Sequence, residues 1–249
     1  MNLAIARWRP HAGYAPGTAV DLEAIQAVKT GLSTNIPYGY SLLYSSRQDS
    51  SFEKAGLVAN AYVNEATGQI LIAFRGPLSI PDGLVSSNTL ERAALKVDLR
   101  IAFDDASVTT EMDREAQRLF SVVRDAAQGR GLSFTNQNVF VTGNSEGGFL
   151  AELLAKDENL SGETFGAPGI PGQQVNPAPN GNLINYLNKG DPVANLGSDA
   201  LLAPFIAPAG TQYHYGKIQY IGSDTAGADL VKAAQVLFAP QDQFDIEAG

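Results

Sequence analysis

Apolar residues recur at steps of three and four between Thr110 and Gln128, where Met112, Ala116, Leu119, Val123 and Ala126 fall on one face. That period predicts an amphipathic helix, with Gly129 as its stop. Gln69-Ile70-Leu71-Ile72-Ala73-Phe74 has a different pattern: it is almost continuously apolar and only six residues long. Such a run predicts a buried, central strand. Leu57 to Asn64 predicts a second strand, and the intervening Glu65-Ala66-Thr67-Gly68 reads as the turn of a hairpin. Thr18-x-x-Asp21 resembles a capping box and opens a predicted helix through Thr30, with Gly31 beyond it.

Further along, residues 77–96 are irregular, and Lys96 to Phe103 predicts a strand. Val139-Phe140-Val141 predicts another, followed by a helical run, Gly148-Phe149-Leu150-Ala151-Glu152-Leu153-Leu154-Ala155. Short strands are expected at Glu163-Thr164-Phe165, Leu183 to Leu187 and Lys217 to Ile221, and a last helix at Ala228 to Phe238. Strands alternating with helices predict an α/β fold: a mixed, mostly parallel sheet with helices on both faces. No linker, composition shift or internal repeat divides the chain, so one domain over residues 1–249 is expected.

The chemistry enters between the Val139 strand and the helix after it. Gly143-Asn144-Ser145-Glu146-Gly147 is a G-x-S-x-G pentapeptide in a strand–turn–helix setting. That setting makes a nucleophile elbow, which presents a serine Oγ for attack on a carbonyl carbon. A serine hydroxyl needs a base to take its proton, and the base needs an acid to orient it. The chain has two histidines, His11 and His214. Folds of this class run in the order Ser, acid, His, so His214 is the expected base and His11 stands in the wrong order. Asp191 is the expected acid because it follows the Leu183 strand, within Lys189-Gly190-Asp191-Pro192. Asp199 is its rival, and a plain Asp-Pro turn is the structural alternative for Asp191.

Composition narrows this picture by exclusion. The 249 residues are 44% hydrophobic and carry a formal charge of −9 with no dense basic cluster, which argues against a nucleic-acid partner. The absence of cysteine removes disulfides, thiol nucleophiles and thiolate metal sites. No cofactor or metal is expected, and Asp104 and Asp105 read as a solvated charge run rather than metal ligands. No segment reaches membrane-spanning length, since Pro204 interrupts the greasy stretch Leu201 to Ala207. Arginines occupy the place of a signal peptide's apolar run. Oligomeric state is left open.

Several segments together resemble the class 3 lipases, the α/β-hydrolases that include fungal triacylglycerol lipases. They are Ile70 to Gly76 ("AFRG"), Val97-Asp98-Leu99, Val139 to Ala151 around the elbow, Thr164-Phe165-Gly166-Ala167-Pro168, Asn185 to Val193, and Tyr213-His214-Tyr215-Gly216. The resemblance spans roughly residues 57 to 221. It implies an α/β-hydrolase fold and a serine esterase that cleaves lipid or other hydrophobic esters at an interface, with phospholipase and polyester hydrolase as variants. Ser145 is the implied nucleophile, Asp191 the acid and His214 the base. Glu146 N–H is one implied oxyanion donor, and Asp98 supports the oxyanion loop. The family suggests a lid over residues 78–95, with Leu84, Val85 and Leu90 lining the substrate site. It also suggests work outside the cell without a classical signal, although a cytoplasmic location stays open.

Two positions depart from the family. Asn144 stands where histidine is usual. Pro77 stands where the family has a serine or threonine whose backbone N–H completes the oxyanion hole, and proline has no N–H. Leu78 N–H, with the Ser79 side chain as a second candidate, is expected to take that role. These departures motivate the alternative of a hydrolase-like binding domain with a degraded site.

Overall fold

A computed structural model describes residue 36 and residues 38–76, 105–172, 182–197, 200–202 and 213–238. The helix expected from Thr18, the strand expected over 96–103 and the whole 77–95 segment lie outside these residues.

Strand β1 (Ser41–Ser45) leads through a single 3-10 turn into α1 (Ser50–Ala55). Then follow β2 (Ala59–Asn64), β3 (Gln69–Phe74), α2 (Ala106–Gly129), β4 (Val139–Asn144) and α3 (Glu146–Glu158). The chain continues through β5 (Ser161–Phe165), β6 (Leu183–Asn188), β7 (Lys217–Ile221) and α4 (Asp224–Phe238). The seven strands stand side by side in sequence order. β1, β2 and β3 pair antiparallel, and β3 through β7 run parallel. This is the expected α/β architecture with a mixed, mostly parallel sheet.

Some expectations shift. α2 starts earlier than the apolar period indicated because Asp105 caps it, accepting the Ser107 N–H at 2.9 Å. Asp105 is therefore an N-cap, and not part of a solvated charge run. β1 and α1 were not foreseen. α1 is capped by Asp49, which accepts the Ser51 N–H, and ends at Gly56 with φ 87°. Arg118 joins α1 to α2: its guanidinium lies 3.6 Å over the Phe52 ring and bonds Asp49 at 2.8 Å and Glu115 at 2.6 Å.

The core lies between one face of the sheet and the helices α2 and α3. Ala59, Ala61, Val63, Ile70, Ile72, Phe74, Val139 and Val141 point to that face at every second strand position. Met112, Ala116, Leu119 and Val123 of α2 meet them, as do Phe149, Leu150, Leu153 and Leu154 of α3. Each large side chain removed from water here contributes about 1.5–3 kcal/mol. Every residue of α3 from Glu146 to Ala155 is buried, so this helix is locked under the carboxyl edge of β4.

The register brings several strand ends together at that edge. Phe74 pairs with Gly143, Asn144 with Phe165, and Phe165 with Tyr186. The turns after β3, β4, β5 and β6 therefore open on one side of the sheet, where sites of open α/β sheets form.

Candidate active site

Ser145 leaves β4 and becomes the N-cap of α3 with φ 56° and ψ −125°, outside the regions a side chain prefers. Three hydrogen bonds hold it there. Its N–H donates to Phe165 O at 2.9 Å, and its carbonyl accepts from Gly148 N at 2.8 Å and Phe149 N at 3.1 Å. The flanking glycines are required by space. A Cβ on Gly143 would collide with the Gly147 carbonyl, and one on Gly147 would lie 2.6 Å from Phe74 O and 2.8 Å from Gly76 N. The Arg75-Gly76 turn after β3 therefore packs directly on the elbow. A Cβ on Gly76 would come within 3.4 Å of Ser145 Cβ.

Glu146 is the first residue of α3, so its N–H stands in the first turn of the helix, beside the serine. Its side chain is 1% exposed. Asn144 donates from Nδ2 to Phe165 O at 2.9 Å and so ties β4 to β5. The other expected site residues, Pro77, Leu78, Ser79, Leu84, Val85, Leu90 and Asp98, lie outside the described residues, as do His11 and Asp199.

Asp191 sits just past β6, at the same carboxyl edge. A Cβ on Gly166 would lie 3.4 Å from Asp191 Oδ2 and 3.8 Å from Asn144 Nδ2. Its Oδ1 accepts the N–H of Val193 at 2.9 Å and of Ala194 at 3.3 Å. Asn195 Nδ2 donates to Asp191 O at 2.7 Å. These bonds are those of an Asp-Pro turn closed by its own aspartate.

His214 does not take Asp191 as the carboxylate on its Nδ1. That place is held by Glu152, whose Oε1 lies 3.0 Å away. Glu152 Oε2 accepts the Tyr215 N–H, also at 3.0 Å. Glu152 and His214 are both 0% exposed. The expected Asp191–His214 pairing is thus corrected. The segment carrying His214 packs on α3, and α3 supplies the carboxylate. Two further bonds hold that segment: Ile170 N–H to Tyr213 O at 2.9 Å, and Asn185 Nδ2 to Tyr215 O at 2.8 Å. Sequence reasoning missed Glu152, although a signal was present. It is the one charge in the run Phe149 to Ala155, and a charge inside an all-apolar helical stretch requires a buried partner.

Among the described residues, no group of three His, Asp or Glu side chains is placed to hold a metal ion. Among the described residues, no helix is long and apolar enough to cross a membrane.

No protein-family model matches the chain, and no curated protein matches it. Solved structures do. A fungal lipase in an inhibitor complex aligns with TM-score 0.47 and 19% identity, over 84% of this chain and 83% of that one. The lipase of Rhizopus microsporus var. chinensis aligns with TM-score 0.44 and 16% identity, over 83% and 76%. The Lip2 lipase of Yarrowia lipolytica aligns with TM-score 0.41 and 16% identity, over 74% and 66%.

Proposed function

We propose that this protein is a serine hydrolase of carboxylic esters, acting on lipid or other hydrophobic esters through an acyl-enzyme. The observation that carries this reading is the backbone at Ser145. A serine is held at φ 56° between a parallel strand and a buried helix, with its neighbouring glycines required by space. Strain of that kind costs on the order of 1–3 kcal/mol and clusters at sites of chemistry.

In the proposed reaction Ser145 Oγ attacks the ester carbonyl carbon while its proton passes to His214 Nε2. The carbonyl π electrons move onto oxygen, and Glu146 N–H donates to that oxyanion. Leu78 N–H serves as the second donor in place of Pro77. The oxyanion then collapses, the alkoxide leaves with the proton from His214, and the acyl group remains on Ser145. Water repeats the sequence and releases the acid. Residues 78–95 are proposed as the lid, with Leu84, Val85 and Leu90 facing the acyl chain. Phospholipids and polyesters fit the same reaction. Work outside the cell, where such substrates meet a water interface, belongs to the same proposal.

A fluorophosphonate probe and p-nitrophenyl esters test the reading. The expected result is labelling at Ser145 and a loss of hydrolysis in Ser145→Ala of about 10³-fold or more. Hydrolysis unchanged in Ser145→Ala would overturn the reading, and an unlabelled Ser145 with no hydrolysis by the wild type would point to the degraded binding domain.

A further inference from the structure

We propose that Asn144 and Asp191 form a subsite for a hydroxyl group of the leaving alcohol, so that this protein prefers esters whose alcohol carries a second hydroxyl beside the scissile bond. The inference rests on the reading of Ser145 as nucleophile and names the substrate class for that site. Its ground is a pair of polar groups that the fold leaves half used. Asn144 Nδ2 gives one hydrogen to Phe165 O at 2.9 Å. Asp191 Oδ1 accepts the N–H groups of Val193 and Ala194, at 2.9 and 3.3 Å. Among the described residues, the second Nδ2 hydrogen meets no acceptor and Asp191 Oδ2 meets no donor. His214 does not cover Oδ2, because Glu152 holds its ring elsewhere.

Both half-used groups border one point. The place that a Gly166 Cβ would take lies 3.4 Å from Asp191 Oδ2 and 3.8 Å from Asn144 Nδ2. Apart from the chain neighbours of Gly166, no other atom of the described residues comes within 4 Å of it. Gly166 has φ 61°, a torsion that disfavours a side chain, so the place stays clear. It adjoins the elbow. Phe165 O accepts the Ser145 N–H as well as Asn144 Nδ2, each at 2.9 Å, and Gly166 is the next residue. A hydroxyl has one hydrogen to give and lone pairs to receive. Between these two groups it donates to Asp191 Oδ2 and accepts from Asn144 Nδ2. The carboxylate makes the first of these a charge-assisted bond, which is the stronger kind. An alkyl group in the same place displaces water from both groups and gives them no partner in return.

Steady-state hydrolysis of glyceryl monobutyrate and propyl butyrate by the intact protein tests this. The two esters share the acyl group and the carbon skeleton of the alcohol, and differ in the hydroxyls. Each kcat/KM is divided by that ester's own rate with hydroxide, which removes the difference in leaving groups. The wild type is expected to favour the glyceryl ester by about 10–100-fold. Most of that preference is expected in KM, because the hydroxyl is bound in the ground state and the transition state alike. Asp191→Asn and Asn144→Ala are each expected to bring the ratio to within about threefold of unity. A merely structural pair would lower both rates together and leave the ratio standing. A wild-type ratio near unity overturns the proposal, as does a ratio that survives in either folded variant. Asn144→Ala also gives up the bond to Phe165. If circular dichroism shows that it does not fold, the wild-type ratio and Asp191→Asn decide. Failure of the underlying reading is seen separately, as hydrolysis of neither ester by the wild type or undiminished hydrolysis by Ser145→Ala.

Discussion

At Ser145 a backbone torsion and a chemical role meet in one residue. The φ of 56° is tolerated because the bonds to Phe165, Gly148 and Phe149 hold the turn from both sides. A glycine at the same position would adopt that torsion without a Cβ penalty. Ser145→Gly is therefore expected to be inactive yet more stable, by about 1 kcal/mol after subtracting glycine's extra entropy in the unfolded chain. For a chain of this size that is about 2–4 °C in Tm. Differential scanning calorimetry checks it, and a lower Tm would mean that the turn is unstrained. At Asp191, Oδ1 accepts the N–H groups of Val193 and Ala194 and so closes the turn after β6.

Between elements, the contact of α2 with α3 carries a titration. Asp113 on α2 is raised to about 6 by burial first, then by the hydrogen bond to Asp157 of α3 and its negative charge. Burial pushes Asp157, its partner, upward, but the hydrogen bonds from Asp113 and Lys156 together with the charge of Lys156 outweigh it and lower the group. The two carboxyls thus hold one proton between them in mildly acidic solution. A raised folded pKa means that the native state binds the proton more tightly than the unfolded one. The Asp113 contribution is therefore full below about pH 4 and is lost as pH rises through about 6. Asp157 acts in the opposite sense, with stability lost as pH falls through its lowered value. Asp113→Asn keeps a donor to Asp157 and removes the first effect. It is expected to flatten the Tm–pH curve between pH 4 and 6 and to raise Tm at pH 7. Discounted for solvent screening, the gain is roughly 1 kcal/mol, or about 2–4 °C. Thermal melts across that pH range check it.

For the whole molecule, the charge of −9 governs encounter with an interface. Like charge repels it from anionic surfaces over a Debye length of about 10 Å at 0.1 M salt. Sedimentation with vesicles is expected to show weaker binding to anionic than to neutral bilayers at low salt, with the difference closing as salt rises. Equal binding at low salt would mean that a local patch overrides the net charge.

Much of this was legible before any coordinates. The helix ending at Gly129 follows from local periodicity, as does β6, because burial of one face repeats at the period of the element, and the strand Gln69–Phe74 follows from its continuous apolar run. The elbow was legible because its glycines answer a steric need confined to five residues. Chain order and spacing could nominate Ser145, Asp191 and His214, but not join them. Which carboxylate reaches His214 depends on how α3 packs beside the segment entering β7, a contact between residues 62 positions apart in the chain. Only the tertiary structure decides that choice, because a buried histidine pairs with the acid that packing brings to it, wherever that acid lies in sequence.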